Sequence, residues 1–252
     1  MIFYYFKKIT FIIKKTIPFF LLKRRFNGDY NFFIQQTNKR FIIKKTDLYP
    51  FLYDAGSNAD FDRHYTYHTA WAARVLAEIN PKKHVDISSD LRFVTLISAF
   101  IPLQFYDYRP IKIELSNLKC EHVDVTQLPF KDNSIDSLSC MHVVEHIGLG
   151  RYGDQVDPEG DIKAMKELAR VVAKNGSLLF VVPIGNEAKI MFNAHRIYTK
   201  DMIINIFKHL ELNLREFTLI PELESDGGLI SDPNNKLLNK QTYACGCFWF
   251  TK

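Results

Sequence analysis

Three carboxylates, each standing beside an apolar run, constrain this chain more than any other feature of its sequence. Asp86 closes a short apolar segment, Asp107 follows the run Pro102 to Tyr106, and Asp124 comes just before Leu128-Pro129-Phe130. Ile135 to Met141 reads as a buried strand. A helical stripe follows from Lys163 to Ala173, and Asn175-Gly176 stops it ahead of the apolar strand Leu178 to Pro183. Strands that alternate with helices pair in parallel, because each crossover returns the chain to the same end of the sheet. The expectation is an α/β fold with a doubly wound, mostly parallel sheet and the three carboxylates along one edge. Open sheets of this kind bind their ligands at that edge.

The flanks extend the plan. Trp71, Ala72, Val75, Leu76 and Ile79 share one helical face, ended by Asn80-Pro81. Thr199 is a good N-cap for a helix through Leu210, with Ile203, Ile206, Phe207 and Leu210 facing inward. Val94 to Ile101 fits either a helix or a strand. Phe217 to Ile220 and Tyr243 to Phe250 read as the last two strands, and no long helix separates them, which predicts a C-terminal antiparallel hairpin.

Charge divides the chain in two. Residues 1–45 hold 11 of the 33 Lys and Arg and one acid, Asp29, leaving 22 basic and 27 acidic side chains for the rest. Lysine pairs at 7–8 and 14–15 break every apolar run, so no stretch approaches the ~20 apolar residues of a spanning helix. The charges spread through the apolar part, and the lack of a small-residue cleavage site after it, fit a secretory signal poorly. Basic residues interleaved with aromatics suit a segment lying on an anionic membrane face, or one that packs on the main domain. No recognisable nucleic-acid-binding module accompanies the charge. The expected organisation is a basic, aromatic arm at 1–50 and a catalytic-type domain at 51–252, with the junction at Tyr49-Pro50 and the polar run Asp54 to Asp60. Cys120, Cys140, Cys245 and Cys247 show no metal-binding spacing and read as buried free thiols of a reducing cytoplasm.

A nucleoside cofactor needs an acid for its ribose hydroxyls at the end of the second strand, about twenty residues past the first turn. Asp107, 21 positions after Asp86, fits that role. Asp124, with Leu128 after it, resembles the acid that meets the base in proteins that bind such a cofactor, and Asp86 and Ser88 would form the first turn. That turn, Asp86-Ile87-Ser88-Ser89-Asp90, contains no glycine, although a close backbone approach to a cofactor favours one. After the fourth strand come His142, Glu145 and His146, candidate proton-handling groups together with His195. Arg151, Tyr152, Asp154, Asn193, Arg196 and His64 are candidates for holding an anionic substrate. Three glycines give the loop after His146 the look of a mobile polar segment, and Asp62 to Tyr67 reads as a lid. His142-Val143-Val144-Glu145-His146 also matches a zinc-protease signature that places both histidines on one helix face. A metal-dependent hydrolase is therefore a lesser alternative, and no metal ligand is assigned.

The run from Phe61 to Tyr198, with Glu145-His146-Ile147-Gly148-Leu149-Gly150-Arg151-Tyr152-Gly153-Asp154 and Phe192-Asn193-Ala194-His195-Arg196-Ile197-Tyr198, resembles a methyltransferase-like family. That family is a domain of unknown function found in nematodes and in bacterial surface-polysaccharide gene clusters. Its first turn usually reads Asp-Ile-Gly-Ser, so Ser88 stands where its glycine would be. The resemblance implies a class I methyltransferase fold with S-adenosylmethionine as cofactor and a link to glycan synthesis. The arm at 1–50 lies outside it, and the basic, aromatic character of residues 1–45, with the free thiols, is what suggests a cytoplasmic protein with peripheral contact at the inner membrane face. The implied reaction is O-methylation of a sugar or glycan precursor; the alternative is a non-catalytic scaffold or binding protein of the same fold.

Overall fold

The computed structural model describes residues 19–36, 44–53, 61–109 and 111–252. The chain forms two compact units, residues 1–61 and 62–252. In the first, helix α1 (Phe19–Gln35) buries Leu22 and exposes Phe19, Phe20, Phe32 and Phe33 around Lys23, Arg24 and Arg25. Among the described residues no helix is long and apolar enough to cross a membrane. The Asp54 to Asp60 junction lies outside the described residues.

In the second unit the elements run α2 (Arg63–Ile79), β1 (His84–Ile87), α3 (Leu91–Ile97), β2 (Leu103–Asp107), β3 (Leu118–His122) and β4 (Ile135–Met141). They continue through α4 (Gly160–Val171), β5 (Val172–Ile184), the hairpin β6 (Lys189–Met191) and β7 (His195–Ile197), and α5 (Lys200–His209). The chain ends with β8 (Asn213–Ile220), β9 (Ile230–Ser231), α6 (Asn235–Leu238) and β10 (Ala244–Thr251). The main sheet has the order β3-β2-β1-β4-β5-β10-β8-β9. Strands β1 to β5 pair in parallel. Strand β10 inserts antiparallel between β5 and β8, and β9 closes the far edge antiparallel to β8.

Strand alternation builds a core on each face of this sheet. Leu178, Phe180 and Val182 pack on one side with Ala164, Met165 and Leu168 of α4 and with Ile203 and Phe207 of α5. Leu179 and Val181 point to the other side, against Trp71 and Leu76 of α2 and Phe93 and Val94 of α3. Both faces of β5 are thus covered, which is why its sequence is a continuous apolar run rather than an alternating one.

Helix α2 ends where Asn80 adopts a left-handed φ of 46° ahead of Pro81. Thr199 Oγ1 accepts from Met202 N at 3.2 Å and caps α5. The segment around Val94 is helical. Two expectations change. Asp62 to Tyr67 is not a lid: the Asp62 carboxylate accepts from Tyr65 N at 3.1 Å, so this segment starts α2. Asn175-Gly176 does not end α4, because β5 begins at Val172 and the pair sits at an irregularity between Ile135 and Ser137 in the pairing to β4.

Candidate functional site

The strand order reverses direction between β1 and β4, so the segments leaving those two strands open a crevice between them. On the β1 side, Asp86 is fully buried, accepting from Ser89 N at 3.0 Å and from the hydroxyl of Ser139. His84 bonds both Ser137 and Ser139 at 2.8 Å. Burial pushes the Asp86 pKa up to about 6, against the pull of its serine hydrogen bonds. Burial also pulls His84 down to about 3, so its ring is neutral. Ser89 Oγ accepts from Met141 N at 3.1 Å and ties this turn to the end of β4. Ser88 has φ 56°, the left-handed conformation that glycine adopts without strain, and its N–H donates to Tyr106 O at 2.7 Å.

Asp107 and Asp124 behave alike. Asp107 Oδ1 accepts from Arg109 N at 2.7 Å, and Asp124 Oδ1 accepts from Thr126 N and Oγ1 at 2.8 and 2.7 Å. Each spends one oxygen on its own turn, and among the described residues neither second oxygen has a hydrogen-bond partner. Two half-used carboxylates fit the donors of a nucleoside, namely ribose hydroxyls and an exocyclic amine. Leu128 lies in the core, with its N–H on Glu167 at 2.8 Å and its carbonyl on Arg170 at 2.9 Å, and so braces α4 instead of lining the crevice.

On the β4 side rings gather. His142 follows the strand at φ 57°, and Val144–His146 is a single 3-10 turn. The two histidines of the protease-like signature therefore do not share an α-helical face. Both turn toward Glu145, whose Oε1 lies 2.9 Å from His142 Nδ1 and 3.7 Å from His146 Nε2. Because a carboxylate only accepts here, His142 Nδ1 carries the proton and Nε2 faces the Cys245 sulfur at 3.4 Å. Burial lowers the His142 pKa, but the adjoining Cys245 sulfur and Glu145 carboxylate outweigh that and leave it raised.

Helix α2 brings His64 and Tyr65 near-parallel to the His142 ring at 5.6 and 5.4 Å, with the His68 ring edge-on at 5.0 Å. Burial and the neighbouring His142 lower His64 to about 4 and His68 to about 3. Tyr243 stacks beside His64 and His195 at 5.2 and 5.0 Å, and the His195 ring lies 6.4 Å from that of His146. Burial, and then His146, also lower His195. His146 Nδ1 lies 2.7 Å from Ala194 O.

The substrate-holding candidates separate. Arg151 is exposed, bonds Ala194 O at 2.9 Å, and lies 5.1 Å from the Tyr152 ring. Arg109 reaches the same ring from the end of β2, at 4.8 Å. Arg196 instead turns inward, donating to Ile147 O at 2.6 Å and Pro158 O at 3.3 Å, with Asp161 at 3.5 Å. It is 5% exposed and serves as a brace rather than an anion clamp. Asp154 accepts from Gly148 N, Gly150 N and Tyr152 N, and so fastens the glycine loop from within. A Cβ on Gly148 would stand 2.0 Å from Asp157 O, so the close approach there requires glycine. Asn193 is exposed in the turn between β6 and β7.

His68, Arg109, Tyr243 and Cys245 escape a reading by motif, since each arrives from an element remote in sequence. A 590 Å³ cavity lined by Asp132, Arg170, Lys174 and Glu211 lies near the start of β4, away from the switch-point crevice.

The strand order and the inserted antiparallel β10 are those of the class I methyltransferases. The fold is similar to the YcgJ protein of Bacillus subtilis, at 14% identity and TM-score 0.51, over 74% of this chain and 98% of that one. It is also similar to a candidate sarcosine dimethylglycine methyltransferase of Galdieria sulphuraria, at 12% identity and TM-score 0.50, over 72% and 84%. The family described as "Caenorhabditis protein of unknown function, DUF268" matches residues 111–223, from just before β3 to just past β8. An uncharacterised protein of Methanocaldococcus jannaschii is 30% identical over 88 residues, which span 34% of this chain and 33% of that relative.

Proposed function

We propose that the protein is an S-adenosylmethionine-dependent methyltransferase acting on a hydroxyl of a sugar or surface-glycan precursor. One observation carries this reading. A single switch-point crevice has half-used carboxylates at the ends of β2 and β3 on one side and, on the other, the imidazoles beyond β4 together with His195 at the start of β7, whose ring is kept neutral by burial. Asp107 would hold the cofactor ribose, Asp124 its base, and the Asp86–Ser89 turn its amino-acid end. The bound cofactor supplies an electrophilic methyl group on a sulfonium sulfur. His195 takes the acceptor's hydroxyl proton, because it is half-buried and its lowered pKa keeps the ring neutral near pH 7. His146 is the second candidate base, and Glu145 and His142 orient the ring wall. Arg109 and Arg151, flanking Tyr152, suit an anionic, hydroxyl-rich acceptor.

The test is calorimetric titration with S-adenosylmethionine and S-adenosylhomocysteine. Micromolar binding weakened at least about tenfold by Asp107→Ala, as expected for losing a hydrogen bond to a charged group, supports the reading. No binding at millimolar ligand to folded protein overturns it. One observation favours a non-catalytic scaffold instead: Ser88 fills the glycine position and keeps a side chain at the point of closest approach.

The same reading gives the basic, aromatic arm a place on an anionic cytoplasmic membrane face, since α1 exposes four Phe around three adjacent cations. Cosedimentation of the full chain with anionic but not neutral vesicles is the expected result.

A further inference from the structure

We propose that His64, His142 and Cys245 bind one zinc ion, with a fourth coordination position open toward the crevice. Their ligating atoms lie within 4.8 Å of one another, though they come from the start of α2, the end of β4 and the start of β10. A small shift of side chains brings atoms so spaced onto one ion. The donor set, two imidazoles and a thiol, suits borderline-soft Zn²⁺ far better than Mg²⁺ or Ca²⁺.

The surroundings match a metal site in two further respects. His142 donates Nδ1–H to Glu145 at 2.9 Å, which turns Nε2 toward Cys245 Sγ at 3.4 Å as the nitrogen a metal would take, the carboxylate–histidine arrangement that orients zinc ligands. His68 is fully buried beside His142 and donates Nδ1–H to His64 O at 2.6 Å. Among the described residues its Nε2 lone pair has no hydrogen-bond partner, and neither has Glu145 Oε2. Neither atom is in the ligand set, but a cation bound among the neighbouring rings would offset the cost of burying both unpaired. Ligation releases the Cys245 thiol proton and the proton on His142 Nε2 to solvent. The dication then balances the thiolate and the Glu145 carboxylate in the low-dielectric interior. His146, the other histidine of the protease-like signature, is not in this group. A zinc here would hold water or the acceptor oxygen at its open position. Its binding is measured independently of methyl-donor binding, so failure of one reading leaves the other standing.

The experiment strips the full-length protein with a chelator, then titrates it with Co²⁺ as a spectroscopic probe and with Zn²⁺ against a chromophoric chelator. The expected result is one Co²⁺ per chain, with a near-ultraviolet thiolate-to-cobalt band that Zn²⁺ abolishes stoichiometrically. Cys245→Ser loses that band, and His64→Asn weakens Zn²⁺ binding at least about tenfold. Cys245 lies in the core, so circular dichroism checks its variant. His64 is only half-buried at the start of α2, and its variant carries the test if the first does not fold. Absence of the band in folded wild-type protein, or Zn²⁺ affinity unchanged in His64→Asn, overturns the proposal.

Discussion

The two segments that leave the sheet at its switch point are built on opposite principles. After β1, polar atoms are enclosed and matched: His84, Ser137, Ser139, Asp86 and Ser89 form one chain of hydrogen bonds across β1 and β4. After β4, rings crowd together, and among the described residues Glu145 Oε2 and His68 Nε2 are left without hydrogen-bond partners. A satisfied network fixes geometry, whereas an unsatisfied one marks where a ligand completes the structure. Substitutions on the two sides should therefore separate stability from activity.

The largest effect is expected on the open side. His195→Asn should lower the methyl-transfer rate about 10² to 10⁴-fold, the range for losing a general base. Among the described residues its ring makes only aromatic contacts, to Tyr243 and His146, so unfolding stability should stay within about 0.5 kcal/mol of wild type. Turnover with an identified acceptor and chemical denaturation measure the two quantities. A large stability loss would show that the open side is scaffold after all.

The closed side responds to pH. The folded pKa of Asp86, about 6, exceeds its ordinary 3.8, so the native state binds this proton more tightly than the unfolded chain does. Its contribution is most favourable below pH 3.8 and is lost as pH rises through 6, on the order of 3 kcal/mol in all. Asp86→Asn should remove that slope. Denaturation of wild type and variant across pH 4 to 7 gives the difference, and parallel curves would count against the burial argument.

Ser139→Ala should cost ~1–3 kcal/mol, because it leaves both Asp86 and His84 short of a partner in the dry interior. Its expected effect on turnover is small once the variant is folded. Equal losses of stability and rate would mean that the two sides are coupled.

Legibility follows the same division. The sheet and its covering helices are written locally: β4 spans Ile135–Met141, and α2 buries Trp71, Ala72, Val75 and Leu76, at positions that periodicity selects. On the closed side only the Asp86 turn is legible, and its partners on β4 are not. Strand β3 escapes because its place at the sheet edge leaves only Leu118 buried, so no apolar run marks it. The open side is hardest to read, since its members are separated by long stretches of chain. His68 stands 74 positions before His142, and Cys245 stands 103 after it. Two signals were nevertheless present: His64 and His68 at i, i+4 on one helix face, and Asp62 three residues before Tyr65 as a cap. Arg196 misleads for a different reason. The sequence marks an arginine beside a site, but only the packing around Asp161 and Ile147 turns it inward.

The smallest expected effect is the most discriminating, because it falls where the closed side meets the cofactor. A side chain in the left-handed region costs ~1–2 kcal/mol relative to glycine, and Ser88 sits there at φ 56°. Ser88→Gly relieves that strain but loses the Oγ bond to Tyr106 O at 3.2 Å and loosens the unfolded chain, so net stability should change by less than about 1 kcal/mol. Methyl-donor binding is then read against a nearly unchanged fold. If the serine merely substitutes for glycine, the variant binds S-adenosylmethionine as tightly as wild type or a few-fold tighter. If wild type does not bind and Ser88→Gly does, the turn has lost its cofactor through this one side chain. If neither binds, the closed network is scaffold throughout, and the ring cluster beyond β4 is the remaining place to look for chemistry.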